Sequence, residues 1–147
     1  MVKRFGNALF KIGADDDKKS LKVTLKEYLE YSTFNRDDSP MYLFQSNIDY
    51  HDKAHVMNKE YQPPHYFRQN LFMEMLGDVE APPNRWFLVG PKRSGSAVHQ
   101  DPLGTSAWNT SVCGHKRWVL MPPGEGIDKN LVRGLHLLQP GEDDEAI

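Results

Sequence analysis

From Arg85 to Met121 the stretches "RWFLVG", "SAVHQ", "SAWNTSVC" and "KRWVLM" are each cut off by Gly or Pro within about 8 to 12 residues. That spacing belongs to short antiparallel strands of a sandwich or barrel, and it constrains the fold more than any other feature of the chain. Residues 85 to 122 therefore read as antiparallel β, carried behind a helical front half. About six strands would leave a barrel unclosed and its edges bare. Either the chain is a piece of a longer protein or another element covers the edge.

The front half supports this division. "LFKIG" and "KSLKV" read as two short strands joined by a solvated turn at Asp15, Asp16, Asp17, Lys18 and Lys19. Thr24 followed by Glu27 has capping-box spacing, and Leu25, Tyr28 and Leu29 then supply an apolar face, which predicts a helix over roughly residues 25 to 33. "MYLFQ" reads as a strand, Ser46 to Pro64 as a long polar loop, and "QNLFMEML" as a short helix. "GIDKNLVRGL" adds a helical turn. No internal repeat is present.

Composition bounds the rest. A chain of 147 residues, 39% hydrophobic, is long enough for one core and too short for two. Eighteen basic against twenty acidic residues leave a net charge of -2, so nothing global argues for a nucleic-acid or anionic-membrane partner. Arg85, Lys92 and Arg93 make only a weak polyanion footprint, and the nearby glycines match no phosphate-loop spacing. The single Cys113 forms no internal disulfide, no apolar run approaches a membrane span, and "MVKRFGNALFKIG" lacks the apolar stretch of a secretory signal. The expectation is a soluble, intracellular protein.

Chemistry concentrates in "AVHQDPLGTSAWN". On a strand, side chains at i and i+2 share a face about 6 to 7 Å apart at the backbone, so His99 and Asp101 can converge on one ion while Gln100 points away. Pro102 biases Asp101 towards extended geometry. An imidazole with a carboxylate and no thiolate suits a non-haem Fe(II) facial triad ahead of Mn or Zn. Polar residues of a surface loop explain the same pair.

In "SAWNTSVC", regular pairing puts Ala107, Asn109, Ser111 and Cys113 on one small, polar face with room for a ligand, and Trp108, Thr110 and Val112 on the other. A plain solvent face with Trp108 in the core accounts for it equally. In "GHKRWVLMPP", Lys116 falls on the face of Trp118 and Leu120. A lysine withdrawn there needs an anion, whereas one at a strand end reaches solvent. His115 reads as structural, and His51, His55, His65 and His136 as lone polar residues of loops or turns.

"RWFLVGPKRSGSAVHQDPLGTSAWNTSVCGHKRWVLMPP", with "FKIG" and "RDDSPMYLFQ" upstream and "DDEAI" at the close, resembles the Jumonji-C Fe(II)/2-oxoglutarate oxygenases. The likeness is to the bifunctional arginine demethylase and lysyl-hydroxylase branch, the phosphatidylserine-receptor-like proteins. The resemblance implies a double-stranded β-helix of jelly-roll or cupin type, mainly β with a helical N-terminal half. It implies one partial domain over 1–147, with 1–84 as the front part and 85–147 as the β-helix core, incomplete at both ends. The second iron-binding histidine of the family is expected on a strand beyond "DEAI"; His136 in "RGLHLLQP" substitutes for it poorly.

By matching motif positions, the resemblance makes His99 and Asp101 iron ligands, Lys116 the partner of the distal carboxylate of 2-oxoglutarate, and Asn109, Tyr42 and Ser96 further contacts of that cosubstrate. It implies Fe(II), 2-oxoglutarate and O2 as cofactors, and as substrate a protein carrying lysine or methylated arginine side chains. It further implies a nuclear location. Two other readings compete: a non-catalytic remnant of the fold that serves as a binding or scaffold module, and a cupin-type metal enzyme that needs no keto acid.

Overall fold

The computed structural model describes residues 1–13, 21–96 and 98–122. The expected turn at Asp15 to Lys19, the helical turn in "GIDKNLVRGL" and His136 lie outside the described residues. The chain divides into two compact units, Met1–Ser96 and Ala97–Ile147.

In the first unit a helical turn, α1 (Val2–Phe5), precedes the hairpin of β1 (Leu9–Ile12) and β2 (Leu21–Thr24). β1 shows the two-residue period of a half-buried strand, with Phe10 and Ile12 buried and Leu9 exposed. Helix α2 (Leu25–Phe34) starts where the sequence predicts. The Thr24 hydroxyl accepts from the Glu27 N–H at 3.3 Å, and the Glu27 carboxylate accepts from the Thr24 N–H at 2.9 Å and from its hydroxyl at 2.6 Å. These bonds hold the Glu27 carboxyl below the usual glutamate range.

Strands β3 (Leu43–Ser46) and β4 (Trp86–Val89) complete an antiparallel sheet of order β2-β1-β3-β4. Leu43 pairs with both Ile12 and Val89, so it lies at the middle of the sheet. Phe10, Leu25, Tyr28 and Leu43 are fully buried, and Phe5, Ala8, Ile12, Ile48 and Ala54 close the core around them. Burying each large apolar side chain contributes about 1.5–3 kcal/mol. Tyr28 also staples the sheet to the helix: its hydroxyl accepts from the Leu43 N–H at 3.1 Å and donates to the Val89 carbonyl at 2.7 Å, with the Met41 carbonyl at 3.0 Å. Burial pushes this phenol's pKa up.

The loop after Ser46 is held by two 3-10 segments, Ile48–Tyr50 and Ala54–Lys59. His51 organises it. Its ring stacks on Phe10 at 4.5 Å, Nε2 lies 2.7 Å from the Leu9 carbonyl, and Nδ1 accepts from the N–H of Ala54 at 3.0 Å and of Lys53 at 3.2 Å. Those partners assign the proton to Nε2 and make His51 structural. Helix α3 (Leu71–Glu80) is capped by Asn70, whose side chain accepts from the Met73 N–H, and it breaks at Gly77, where φ is 70° and only glycine is at ease.

In the second unit the strands expected in "SAVHQ", "SAWNTSVC" and "KRWVLM" are not formed among residues 98–122; the regular structure there is one 3-10 turn, Pro102–Gly104. A strand exists only as half of a pair, and this segment has no ladder partner among the described residues. Among the described residues the four strands lie between residues 9 and 89, interleaved with the helices. No helix among the described residues is long and apolar enough to cross a membrane.

Candidate active site

His99 and Asp101 meet without a strand beneath them. Nε2 of His99 is 3.4 Å from Oδ1 of Asp101, with side chains 58% and 40% exposed. The local chain makes this possible: directly after Asp101 it folds into the Pro102–Gly104 turn, with Leu103 at a φ of 60°. Metal–ligand bonds of about 2.0–2.2 Å place neighbouring donors of one coordination sphere about 3.0–3.4 Å apart. The pair therefore has the donor types and the spacing to share an ion. Among the described residues no third His, Cys, Asp or Glu joins them.

Lys116 and Trp118 lie together, as their i, i+2 spacing predicts, although no strand carries them. The Lys116 ammonium sits 4.4 Å from the centre of the Trp118 ring. Partial burial there lowers its pKa from the usual lysine value. The residue as a whole is exposed and leans on an indole face. The ring removes water from one side of the cation and leaves its other donors for an anion.

In "SAWNTSVC" no strand forms among the described residues, so the alternation of faces expected there does not arise. Ser111 is spent on a local turn, donating to the carbonyls of Gly114 at 3.2 Å and Cys113 at 3.4 Å, with Gly114 at a φ of 79°. Cys113 and Asn109 are exposed. The Asn109 amide makes no hydrogen bond to another described residue.

Tyr42 and Ser96 belong to the first unit. Tyr42 precedes β3, where burial raises its phenol pKa. The contrast with its neighbours is informative. Tyr28 uses its hydroxyl in the sheet, and Tyr31 donates to Asp37 at 2.5 Å while accepting from the Met41 N–H at 2.8 Å, but the Tyr42 hydroxyl bonds to no other described residue. Ser96 is exposed. The structure thus brings His99 to Asp101 and Lys116 to Trp118.

Sequence reasoning missed the setting of Tyr42. Arg93, at a φ of 73°, donates to the Asp37 carbonyl at 2.6 Å and approaches Asp38 at 3.5 Å, tying the turn after β4 to the chain leading into Tyr42. Only the glycine ending "RWFLVG" hinted at a close approach there.

No family profile matches the chain. Individual proteins do. It is 46% identical over 123 residues, 84% of its length, to the bifunctional arginine demethylase and lysyl-hydroxylase psr-1 of Caenorhabditis elegans. It is 40% identical over 125 residues, 85% of its length, to the lysine-specific demethylase JMJ21 of Arabidopsis thaliana. By sequence, the chain resembles the bifunctional arginine demethylase and lysyl-hydroxylase branch of the Jumonji-C proteins. A more distant Jumonji-C relative, the 2-oxoglutarate and iron-dependent oxygenase JMJD4 homolog of Drosophila melanogaster, is 36% identical over 70 residues, 48% of the chain. The chain spans 30%, 13% and 16% of these three Jumonji-C proteins, under a third of each.

Proposed function

We propose that this chain carries part of the active site of an Fe(II)- and 2-oxoglutarate-dependent dioxygenase that modifies protein side chains, by lysyl hydroxylation, N-methyl-arginine demethylation or both. The observation that carries the reading is the 3.4 Å approach of His99 and Asp101, inside a chain whose relatives bear such activities in their names. Iron bound there would supply, with O2 and 2-oxoglutarate, the oxidising power to cleave a substrate C–H bond as the cosubstrate is converted to succinate.

The residues have separable tasks. His99 offers a neutral imidazole nitrogen and Asp101 an ionised carboxylate as ligands. Lys116, partly shielded by Trp118, supplies the cation for the distal carboxylate of 2-oxoglutarate. The Asn109 amide can donate to the same dianion, and for Tyr42 and Ser96 the family resemblance assigns contacts with the cosubstrate. As the finer architecture we propose the double-stranded β-helix, one domain in which the segment 98–122 gains ladder partners, and a nuclear location that imaging of the tagged protein checks.

Iron-dependent formation of succinate from 2-oxoglutarate by the whole natural protein tests the function. Activity abolished in His99→Ala and Asp101→Ala supports it. Absence of turnover in the unmodified protein overturns it and favours a binding module, whereas activity indifferent to 2-oxoglutarate and to Lys116→Ala favours a cupin-type enzyme.

A further inference from the structure

We infer that Gly90 is a positioning residue for Tyr42, keeping the tyrosine ring seated against the strand end so that its hydroxyl stays free for the cosubstrate. This rests on the proposed role of Tyr42. The pairing of Leu43 with Val89 puts Tyr42 beside Gly90, one step past the ladder. A Cβ on Gly90 would stand 2.9 Å from Cδ2 and 3.0 Å from Cε2 of the Tyr42 ring, and would overlap the Ser94 hydroxyl oxygen. Real side chains do not approach so closely, so the ring must move.

The Ser94 hydroxyl must move as well, while the backbone on both sides is tied down. Ser94 folds back over Gly90 because its N–H and hydroxyl both donate to the Pro91 carbonyl, at 3.2 and 2.8 Å. Arg93 ties that same turn to the Asp37 carbonyl. On the other side, the Tyr42 carbonyl accepts from the Gly13 N–H at 3.1 Å, which fixes the tyrosine backbone. The side chain is therefore the part that yields. Gly90 is not among the glycines with positive φ, so alanine suits its backbone and the substitution acts through bulk alone. Tyr42 is half-buried with its hydroxyl bonded to no other described residue, so that hydroxyl can donate to a ligand.

The test is titration of 2-oxoglutarate into the whole natural protein loaded with Mn(II), which supports binding without turnover, followed by calorimetry. A fluorinated tyrosine at position 42, observed by NMR, reports ring position. Tyr42→Phe is expected to weaken 2-oxoglutarate binding about 5- to 10-fold, the worth of one hydrogen bond. Gly90→Ala is expected to weaken it comparably, to add nothing in the Tyr42→Phe background, to shift the fluorine signal and to leave Mn(II) affinity intact. Should Gly90→Ala fold poorly, Gly90→Ala with Ser94→Ala removes the hydroxyl overlap and leaves the ring contact to be measured. If Tyr42→Phe weakens binding and the Gly90 variants do not, the inference is overturned while the cosubstrate reading stands. If Tyr42→Phe itself changes nothing, the role of Tyr42 fails and the inference falls with it.

Discussion

The sheet of the first unit and the segment 98–122 have similar raw material, short apolar runs cut by Gly and Pro, yet only the former is regular. Leu43 is fully buried with strands on both sides, while Val112 and Leu120 are 93% and 84% exposed. The difference lies in partners. Each strand of the sheet finds its ladder within about 90 residues of chain, whereas the segment bearing His99, Asp101 and Lys116 finds none among the described residues. The chemistry that survives in that segment is of the shortest range: pairs of groups two residues apart, His99 with Asp101 and Lys116 with Trp118.

Truncation should expose this contrast most strongly. Leu43→Ala is expected to cost about 2–5 kcal/mol, the range for a large side chain removed from a closed core, while Val112→Ala in this chain stays within about 0.5 kcal/mol; urea unfolding compares the two. A similar cost at Val112 would mean that its segment packs. Next in size, Tyr28→Phe leaves the Leu43 N–H and Val89 carbonyl unpaired and is expected to cost about 1–3 kcal/mol. Hydrogen exchange sharpens the comparison without mutation. Amides of β1 and β3 should be protected, and those of residues 105–121 should exchange close to the rate of an open chain.

How much of this was visible in the sequence follows the same division by range. The capping box of Thr24 and Glu27 and the hairpin of "LFKIG" and "KSLKV" involve neighbours in the chain, so spacing alone predicts them, and His99 and Asp101 meet although the strand expected to align them is not formed. The strands expected in 98–122 are not formed among the described residues, because alternation tells which face a strand would show, not whether a partner exists. Gly90 beneath Tyr42, and Tyr28 reaching Val89, join residues tens of positions apart; no local pattern announces them.

The smallest effect concerns pH. Glu27, held by Thr24, has a folded pKa below its unfolded one, so its contribution is present above the usual carboxylate range and fades as pH falls through the lowered value. Tyr28 has the opposite sense: burial raises its pKa, so its contribution is complete below the ordinary tyrosine range and fades as pH rises through the raised value. Thermal melts should show a shallower acid limb for Glu27→Gln and an unchanged one for Tyr28→Phe.

The decisive measurement is anaerobic calorimetric titration of Fe(II) into the whole natural protein and its His99→Ala and Asp101→Ala variants. The account predicts one iron per chain and a loss of more than about a hundredfold in affinity for either variant, beyond the 10- to 100-fold attached to outer partners of metal ligands. Iron bound equally well by all three proteins would contradict it.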